Sequence, residues 1–404
     1  MASMPNCVLI ITGGILQIPA IIEAKKLGLK TIVTDKNRNA PCMDLADESY
    51  AIDIFDIEGH LELLKKIQKK NRIIGVFTEG SEATVTVATL ASKLKLPGIS
   101  ITSAKNCKNK FNTRKILQEN NIPIPRWNVV KNMNEYYHAV KKIKFPLIVK
   151  AADNSASRGT TKLLREKGSK DAYDLAKENS TNGLVLVEEL CFGSEQSVEI
   201  LFNKKECYEL NIVDRFFSKN KWAIEIGHVN PTKLKDKEKT KLFEITKQAA
   251  EAMKINFGVF KADTMITKNG PIILEVTPRL SGGFDSQKST PISSGRNFIA
   301  AAMKLSLGMP LDMNDLVSKQ QKFCAVWAIK SKTGIVKKIK GVPKVSKIKG
   351  VKEIILIKKE GDVIHKIKDS SGRPGYVITE GKTYHQALSL AKQCVKMITY
   401  EVTK

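Results

Sequence analysis

The 404-residue sequence is poor in the residue types that build disulfide scaffolds, metal clusters and aromatic binding surfaces. Aromatic residues make up 6% of the chain, histidine occurs 5 times, and the 7 cysteines are scattered singly. The cysteine count is odd and no pair has metal-binding spacing, which argues against a disulfide framework and a cysteine-based metal site. We therefore expect reduced thiols in a cytoplasmic protein.

The sequence also has no long uninterrupted hydrophobic run. Its most apolar N-terminal stretch, Val8–Ile22, is broken by Gly13, Gly14 and Pro19 and is not preceded by basic residues. Such a stretch is too short and too interrupted for a membrane span, and it lacks the charged start of a signal peptide. We expect a strand, a turn and a helix there, and no membrane association.

The chain has fewer acidic than basic residues: it contains 41 Asp and Glu and 67 Lys and Arg, which gives a net charge of +26. The lysines are spread over every segment and form no dense block interleaved with aromatic residues. This distribution does not indicate a nucleic-acid partner. Its expected consequence is an electrostatic field that attracts anionic small molecules.

Several domains are expected, because 404 residues exceed what one hydrophobic core usually supports. The first 105 residues alternate short apolar strands with amphipathic helices, which is typical of a parallel sheet with crossover helices. The predicted strands are Cys7–Thr12, Lys30–Thr34 and Ile73–Phe77, and the predicted helices are Pro19–Leu27, Glu58–Lys69 and Glu82–Leu94.

The first predicted turn, Thr12-Gly13-Gly14, is followed by Asp35 and superficially resembles a dinucleotide fingerprint. The third glycine of that fingerprint is missing, so an NAD-dependent oxidoreductase is a weak alternative. The turn and Asp35 are either structural or face a substrate. Glu79-Gly80-Ser81-Glu82, after the predicted strand Ile73–Phe77, is a further candidate substrate edge.

The stretch Phe257–Gly283 predicts a hairpin that carries two acids. Asp263 lies near the end of one apolar run, Glu275 ends the next, and Thr267–Gly270 reads as the turn. Antiparallel pairing brings both carboxylates to one end of a sheet, where hard oxygen ligands suit Mg²⁺ bound to nucleotide phosphates. Arg279 follows close behind, and Lys261 shares the strand face of Asp263.

A second candidate site is a predicted strand that ends in Lys150 and runs into the small-residue loop 151–159. Backbone N–H groups in such a loop approach phosphate oxygens closely, and Lys150 adds positive charge. A predicted helix, Asn106–Asn120, precedes it and carries Lys110 and Arg114 on one face. We interpret Arg114 as a surface or structural residue.

Glu275-Val-Thr-Pro-Arg279, with Asp263 upstream, resembles the metal-binding end of an ATP-grasp ligase, and the likeness extends in order over almost the whole chain. The resemblance implies that Asp263, Glu275 and Thr277 bind Mg²⁺ or Mn²⁺, although the family usually has Glu and Asn at the first and third positions. It implies catalytic roles for Arg279 and Lys261. The implied ATP-binding residues are Lys110, Lys150, Ser155, Ser157, Gly159, Glu188, Glu189, Leu190, Cys191 and Glu195.

The resemblance also implies the domain organisation: an α/β and α+β multidomain fold. A Rossmann-like pre-ATP-grasp domain is expected over residues 1–105 and an ATP-grasp domain over 106–325, with a mobile subdomain at about 126–190. A small mixed α/β C-terminal domain is expected over 326–404. This last part, including Arg373–Ile378, resembles the C-terminal domain of L-amino-acid ligases.

The implied function is ATP- and Mg-dependent ligation of a small carboxylate, such as an amino acid, to an amine through an acyl phosphate. Alternatives are a bicarbonate-activating carboxylase or carbamoyl-phosphate-like enzyme, and a non-catalytic ATP-binding regulator. A homodimer fits the resemblance. Asp214, Arg215 and Arg296 are weaker candidates for contacts to charged substrate groups, and we interpret His228 as structural.

Overall fold

The computed structural model describes residues 4–154 and 157–403. Its N-terminal part is a parallel sheet in the order β3-β2-β1-β4, with residues Val8–Ile11 of the central strand fully buried. A strand buried on both faces is apolar throughout, as this one is. The strands are Asn6–Ile11 (β1), Lys30–Thr34 (β2), Glu48–Tyr50 (β3) and Arg72–Phe77 (β4), and the helices are Ile18–Lys26 (α1), Ile57–Ile67 (α2) and Thr84–Lys93 (α3).

Two helices, Ile101–Lys108 (α4) and Lys110–Glu119 (α5), connect this sheet to the next part of the fold. The prediction of one helix over Asn106–Asn120 is therefore wrong. Asn109 is extended (φ −93°, ψ 109°), and its side chain accepts hydrogen bonds from the backbone N–H groups of Phe111 and Asn112. This cap starts a new helix and makes Lys110 its first residue.

A small antiparallel sheet follows, in the order β5-β8-β6-β7. Two amphipathic helices pack on it, with Tyr136 and Tyr173 in the shared core. The strands are Trp127–Val130 (β5), Leu147–Ala151 (β6), Thr161–Leu163 (β7) and Val185–Glu189 (β8), and the helices are Met133–Ile143 (α6) and Ser169–Glu178 (α7).

The next part of the chain contributes five antiparallel strands and three α-helices. The strands are Ser194–Asn203 (β9), Glu206–Phe217 (β10), Glu225–Asn230 (β11), Phe257–Thr267 (β12) and Gly270–Thr277 (β13), and the helices are Asp236–Ala252 (α8), Thr290–Ser294 (α9) and Phe298–Ser306 (α10). Thr267 is paired with Gly270 across the turn, which confirms the predicted hairpin.

The C-terminal residues extend this same sheet. Its order is β13-β12-β9-β10-β11-β14-β18-β16, so three C-terminal strands continue it beyond β11, and β17-β15-β19 form a separate small sheet. The predicted boundary at residue 326 falls within β14. The strands are Phe323–Ala328 (β14), Gly334–Lys340 (β15), Val351–Leu356 (β16), Val363–Ile364 (β17), Gly375–Gly381 (β18) and Thr399–Thr403 (β19), and the helices are Val342–Val345 (α11) and Tyr384–Met397 (α12).

The predicted fold class, an α/β and α+β multidomain architecture, is confirmed. Across residues 4–154 and 157–403, no helix combines the length and the apolar character that a membrane crossing requires.

Candidate functional site

Asp263 and Glu275 face each other across the β12–β13 pair, as Cα partners in the antiparallel register. Both side chains line a cavity of about 270 Å³ that lies between the N-terminal sheet, the small sheet and the large sheet. Lys261 and Thr277 are also Cα partners and line the same cavity. The hairpin therefore presents two acids, a lysine and a hydroxyl to one space.

Cations surround the two carboxylates. Lys110 Nζ lies 3.2 Å from Glu275 Oε1, and Lys261 Nζ lies 2.6 Å from Asp263 Oδ1. Arg215 Nη1 is 2.8 Å from the same Asp263 oxygen. Burial alone would raise the pKa of Glu275, but Lys110, Lys150 and Lys261 outweigh it and lower that pKa to about 2. Glu275 is thus held as a carboxylate at any physiological pH.

This donor set fits a magnesium ion bound together with a polyphosphate. Mg²⁺ is typically held by one or two carboxylates plus phosphate oxygens and water, and Asp263 and Glu275 supply two carboxylates on rigid, paired strands. Within the described ranges, no group of three or more His, Cys, Asp or Glu side chains is placed to hold a metal. A metal here would therefore depend on ligand oxygens.

Arg279 lies where the N-terminal sheet meets the large sheet. Its Nε donates to the carbonyl oxygen of Ser81 (3.0 Å), and its Nη1 donates to that of Leu280 (2.8 Å). The two chain segments come so close that a Cβ on Gly80 would sit 3.0 Å from the Cα of Gly282. Glycine at both positions permits this approach, which brings the candidate substrate edge at residues 79–82 to the cavity.

Lys150 is buried at the base of the small sheet in a three-residue ion cluster. Glu188 accepts from Lys150 Nζ at 2.6 Å through one oxygen and from Arg114 Nε at 2.5 Å through the other. Burial would raise the pKa of Glu188, but Arg114 and Lys150 together lower it. Arg114 is 2% exposed, so of the two predicted roles it has the structural one.

The predicted ATP-binding residues Glu188 and Glu189 lie at the end of β8, Leu190 and Cys191 follow it directly, and Glu195 lies at the start of β9. Glu189 pairs with Arg126 (2.7 Å), and the backbone N–H of Leu190 donates to Pro146 (3.0 Å). Burial raises the pKa of Glu195 to about 7, against the opposing effect of Arg215. Cys191 is partly buried directly after Leu190.

The predicted site residues thus fall into two groups. Those that line the cavity are Lys110, Ser157, Lys261, Asp263, Glu275, Thr277 and Arg279. Those outside its lining are Lys150, Gly159, Glu188, Glu189, Leu190, Cys191 and Glu195. Ser155 lies outside the described residues. Ser157 Oγ donates to the carbonyl oxygen of Ala223 (2.6 Å), which connects this loop to the segment between β10 and β11.

The cavity also contains residues that the sequence did not single out as site residues. Glu225 bridges Arg215 Nη2 (2.9 Å) and His228 Nδ1 (3.7 Å), and Arg373 reaches the cavity from the C-terminal part of the chain. No local motif marks Glu225 or Arg373 as a cavity residue. His228 is paired with Arg215 in the β10–β11 register and lines the cavity as well.

Two of the three weaker candidates lie elsewhere. Asp214 is buried and accepts hydrogen bonds from the hydroxyls of Thr232 (2.5 Å) and Tyr384 (2.8 Å). Arg296 donates to the carbonyl oxygen of Leu210 (2.7 Å) and does not line the cavity. Arg215 alone of the three is at the site.

The glycine turn at the N-terminus is held together by Asp35. Asp35 Oδ2 accepts from Thr12 Oγ1 (3.1 Å) and from the backbone N–H of Gly13 (2.8 Å), while Oδ1 accepts from Asn37. These bonds favour the structural interpretation of Asp35, because they occupy the oxygens that a ribose hydroxyl would need.

Three family models match the chain in succession. Residues 21–98 match the ATP-grasp N-terminal domain, residues 107–283 match the ATP-grasp domain, and residues 327–403 match the L-amino acid ligase C-terminal domain 2. Curated relatives are distant: the chain is 24% identical to the formate-dependent phosphoribosylglycinamide formyltransferase of Francisella tularensis, over 94% of both chains. It is 22% identical to uncharacterized protein y4rH of Sinorhizobium fredii, over 87% of this chain and 73% of that one.

Solved structures share the fold over nearly the whole chain. An L-amino acid ligase from Bacillus licheniformis superposes with a TM-score of 0.83 at 22% identity, covering 100% of both chains. A phosphoribosylglycinamide synthetase from Anaerococcus prevotii gives 0.74 at 24% identity, covering 98% of this chain and 100% of that one. A third structure is the biotin carboxylase domain dimer of Hydrogenobacter thermophilus 2-oxoglutarate carboxylase in complex with MgADP, ADP and bicarbonate. It superposes with a TM-score of 0.75 at 16% identity, covering 99% of this chain and 91% of that one.

Proposed function

The chain belongs to the ATP-grasp superfamily, and from that membership we propose that it is an ATP- and Mg-dependent ligase that joins a carboxylate to an amine. The finer proposal is that it makes an amide or peptide bond through an acyl phosphate, with an amino acid or another small carboxylate as substrate. The observation that carries the proposal is the register pairing of Asp263 with Glu275, with Lys110, Lys261 and Arg279 around the same cavity.

Two further observations support the amino-acid branch. The C-terminal residues 327–403 match the L-amino acid ligase domain. Among the structures described above, the L-amino acid ligase has the highest TM-score, 0.83. Neither of these observations identifies the substrate pair.

The reaction balances without a side-chain nucleophile. An oxygen of the substrate carboxylate attacks the γ-phosphorus of ATP, the bond from that phosphorus to the β,γ-bridging oxygen breaks, and ADP leaves. The amine nitrogen then attacks the acyl carbon, the C–O bond to phosphate breaks with its electron pair going to phosphate, and the amine loses one proton. Charge develops on phosphate and acyl oxygens in both steps, so positioned cations lower both barriers.

Residues of the cavity and of the small sheet would bind the substrates and stabilise the charge that develops in these steps. Lys110 and Lys150 would hold the phosphates, and Arg279 would face the acyl phosphate. Lys261 would add positive charge beside Asp263, which it already contacts at 2.6 Å. When bound, Mg²⁺ would neutralise charge on the transferred phosphoryl group, with Asp263, Glu275 and Thr277 as its protein contacts. The cavity walls would keep water from a hydrolysable intermediate.

The test is ADP formation by the purified protein with Mg-ATP and pools of amino acids, other carboxylates including formate, and bicarbonate. Glu275→Gln removes one metal carboxylate while keeping the shape of the side chain, and Glu62→Gln is the matched control because Glu62 is exposed on α2. We expect activity in an amino-acid pool, at least a hundredfold lower in Glu275→Gln and unchanged in Glu62→Gln.

Other outcomes would change the proposed substrate or refute the proposed activity. Turnover restricted to bicarbonate or formate would replace the amino-acid substrate with that carboxylate. Binding of Mg-ATP without turnover in any pool would favour a non-catalytic regulator. Absence of Mg-ATP binding would refute the ligase proposal itself.

A further inference from the structure

A second and larger cavity lies beside the one that holds Asp263 and Glu275. It has a volume of about 1270 Å³, and we call it the outer groove. The loops that follow β1, β2, β3 and β4 at the carboxyl end of the N-terminal parallel sheet line it, together with the α4–α5 junction and the loop after β6. The carboxyl edge of a parallel sheet is where such sheets usually bind ligands.

The outer groove is continuous with the first cavity, because residues 80–82 and 153–154 line both spaces. Among these shared residues is Ser81, whose carbonyl oxygen accepts from Arg279 Nε (3.0 Å). Arg279 is the residue that would face the acyl phosphate. The outer groove therefore adjoins the part of the first cavity where the carboxylate donor would react.

The lining of the outer groove holds four basic side chains and only two acidic ones. Both acids already have partners. Glu82 pairs with Arg158 at 2.5 Å, and Asp153 accepts hydrogen bonds from the segment 180–182. Neither acid is therefore available to the remaining lysines of the groove.

Those lysines are Lys36, Lys105 and Lys108. Lys36 pairs with Asp53 at 3.3 Å, on the rim of the groove. Lys105 and Lys108 are exposed on one face of α4, and neither forms an ion pair with any carboxylate in the described part of the chain. Two ammonium groups of the groove are thus left for an anionic ligand.

Apolar surface lies beside these two lysines. Phe55 is 48% exposed and Ile15 is 38% exposed, and both line the outer groove. Lys108 Nζ lies 4.2 Å from the centre of the Phe55 ring. This combination fits a ligand whose hydrocarbon part lies on the apolar side chains while an anionic end reaches the ammonium groups.

We propose that the outer groove binds the distal end of the carboxylate donor, which is an extended compound with a second acidic group, a carboxylate or a phosphate, beyond the carboxylate that reacts. This inference rests on the proposed ligase function and deepens it by giving the chemical class of the donor. Ammonium groups pair with carboxylate and phosphate oxygens alike, so both sources share the recognition chemistry. A donor as short as glycine would leave Lys105 and Lys108 without an anion.

The experiment measures ADP formation while the donor is varied and the amine that gives the highest rate is held at saturation. Each anionic donor is compared with a neutral counterpart of the same length: L-glutamate with L-glutamine, and L-2-aminoadipate with its side-chain amide. The KM of the wild-type protein for the acid should be roughly tenfold below that for the amide. O-phospho-L-serine, compared with the two acids, decides between phosphate and carboxylate.

The double variant Lys105→Met/Lys108→Met should raise the KM for the anionic donor by roughly tenfold and remove the preference for acid over amide. Lys105→Arg/Lys108→Arg keeps both charges, so it should retain the preference. Lys65→Met/Lys69→Met is the matched control, since it removes the same two charges from exposed positions outside the groove lining.

An equal KM for acid and amide in the wild-type protein would overturn the inference, as would an acid preference that survives in Lys105→Met/Lys108→Met. If no donor gives ADP, the ligase proposal fails separately. Calorimetry with L-2-aminoadipate and with O-phospho-L-serine, in the presence of a non-hydrolysable ATP analogue, then decides the binding role. Binding that is lost in Lys105→Met/Lys108→Met and kept in Lys65→Met/Lys69→Met would support that role, and absence of binding to the wild-type protein would refute it.

Discussion

Glu188 is a residue whose importance comes from its partners rather than from any motif. It is 2% exposed and accepts from two buried cations, Arg114 and Lys150. Lys150 is the lysine assigned to phosphate binding, and burial lowers its pKa against the opposing effect of Glu188. The carboxylate of Glu188 therefore holds the Lys150 ammonium in position and opposes the effect of burial on its pKa.

Replacing Glu188 with glutamine should destabilise the protein by about 3–5 kcal/mol, because two buried cations lose their shared anion. Glu189→Gln is the control at the neighbouring position. Its ion pair with Arg126 is more exposed, and its loss should cost below about 1 kcal/mol. Urea unfolding of both variants measures the difference. Equal, small effects would show that the ion cluster contributes little.

Glu79 is a buried acid that should make the free energy of unfolding depend on pH. It is fully buried behind the cavity, and Gln287 Nε2 donates to it at 3.0 Å. Burial raises the pKa of Glu79 well above its ordinary value of 4.5. The folded state thus keeps a proton that the unfolded state loses, so wild-type stability falls as the pH rises above about 4.5 towards the folded pKa.

Glu79→Gln removes that titration. Relative to wild type, the variant should gain free energy of unfolding on going from pH 5 to pH 8, by about 1.4 kcal/mol for each unit of pKa shift that the pH change spans. Chemical unfolding at several pH values measures this difference. Glu62→Gln, on an exposed helix face, controls for the loss of one negative charge. A stability difference independent of pH would contradict the buried, protonated state of Glu79.

At the scale of elements, the large sheet depends on close contact between β11 and β14. Gly227 is paired with Trp327 in their antiparallel register. A Cβ on Gly227 would lie 2.3 Å from a ring carbon of Trp327 and 2.6 Å from the carbonyl oxygen of Val326. The Val326 oxygen is a backbone atom of β14, so the two strands would have to separate. This would displace β11, which carries Glu225 and His228 at the cavity.

Gly227→Ala should therefore destabilise the protein by about 1–3 kcal/mol or more and lower the ligase rate through displaced Glu225. Gly14→Ala is the comparison for stability. Gly14 has φ −66°, and the nearest atom to an added Cβ lies 4.0 Å away, so this change should be close to neutral. Thermal unfolding and ADP formation test the pair. A stable, fully active Gly227→Ala would mean that β11 shifts without consequence for the site.

At the scale of the whole molecule, the cavity is built by four parts of the chain that meet around it. The loop after β4 supplies Ser81, the loop after β6 supplies Asn154, the large sheet supplies Asp263 and Glu275, and the C-terminal part supplies Arg373. A ligand that fills this cavity would contact all four parts. Its binding free energy therefore adds to the stability of their assembled arrangement.

Mg-ATP should raise the melting temperature by several degrees, equivalent to about 2.7 kcal/mol at a ligand concentration a hundred times Kd. Removal of the metal with EDTA should abolish most of this shift, since Asp263 and Glu275 would then repel the phosphates. Glu275→Gln should respond weakly to Mg-ATP. The same stabilisation with and without EDTA would indicate that lysines bind the nucleotide independently of the two carboxylates.

The sequence by itself determined the features that are local along the chain. The short turn at Thr267–Gly270 brought Asp263 and Glu275 to the same end of the hairpin, because antiparallel strands place residues at similar distances from the turn side by side. Their direct pairing also depends on a register shift between Asp263 and Thr264, without which this turn would place Leu274 opposite Asp263. The strand–helix rhythm of the first 105 residues likewise predicted the parallel sheet. In both cases the interacting segments are close in sequence, so the local residue pattern is enough to predict that they pair.

The tertiary structure alone decided which distant residues share the cavity. Arg373 is bonded to the Glu225 backbone 148 positions away, and Arg114 to the Leu274 backbone 160 positions away. Hydrophobic periodicity describes which face of an element is buried, but it carries no information about which remote side chain that face will meet. That choice was made by packing, when the C-terminal strands joined the large sheet and brought a guanidinium to the cavity.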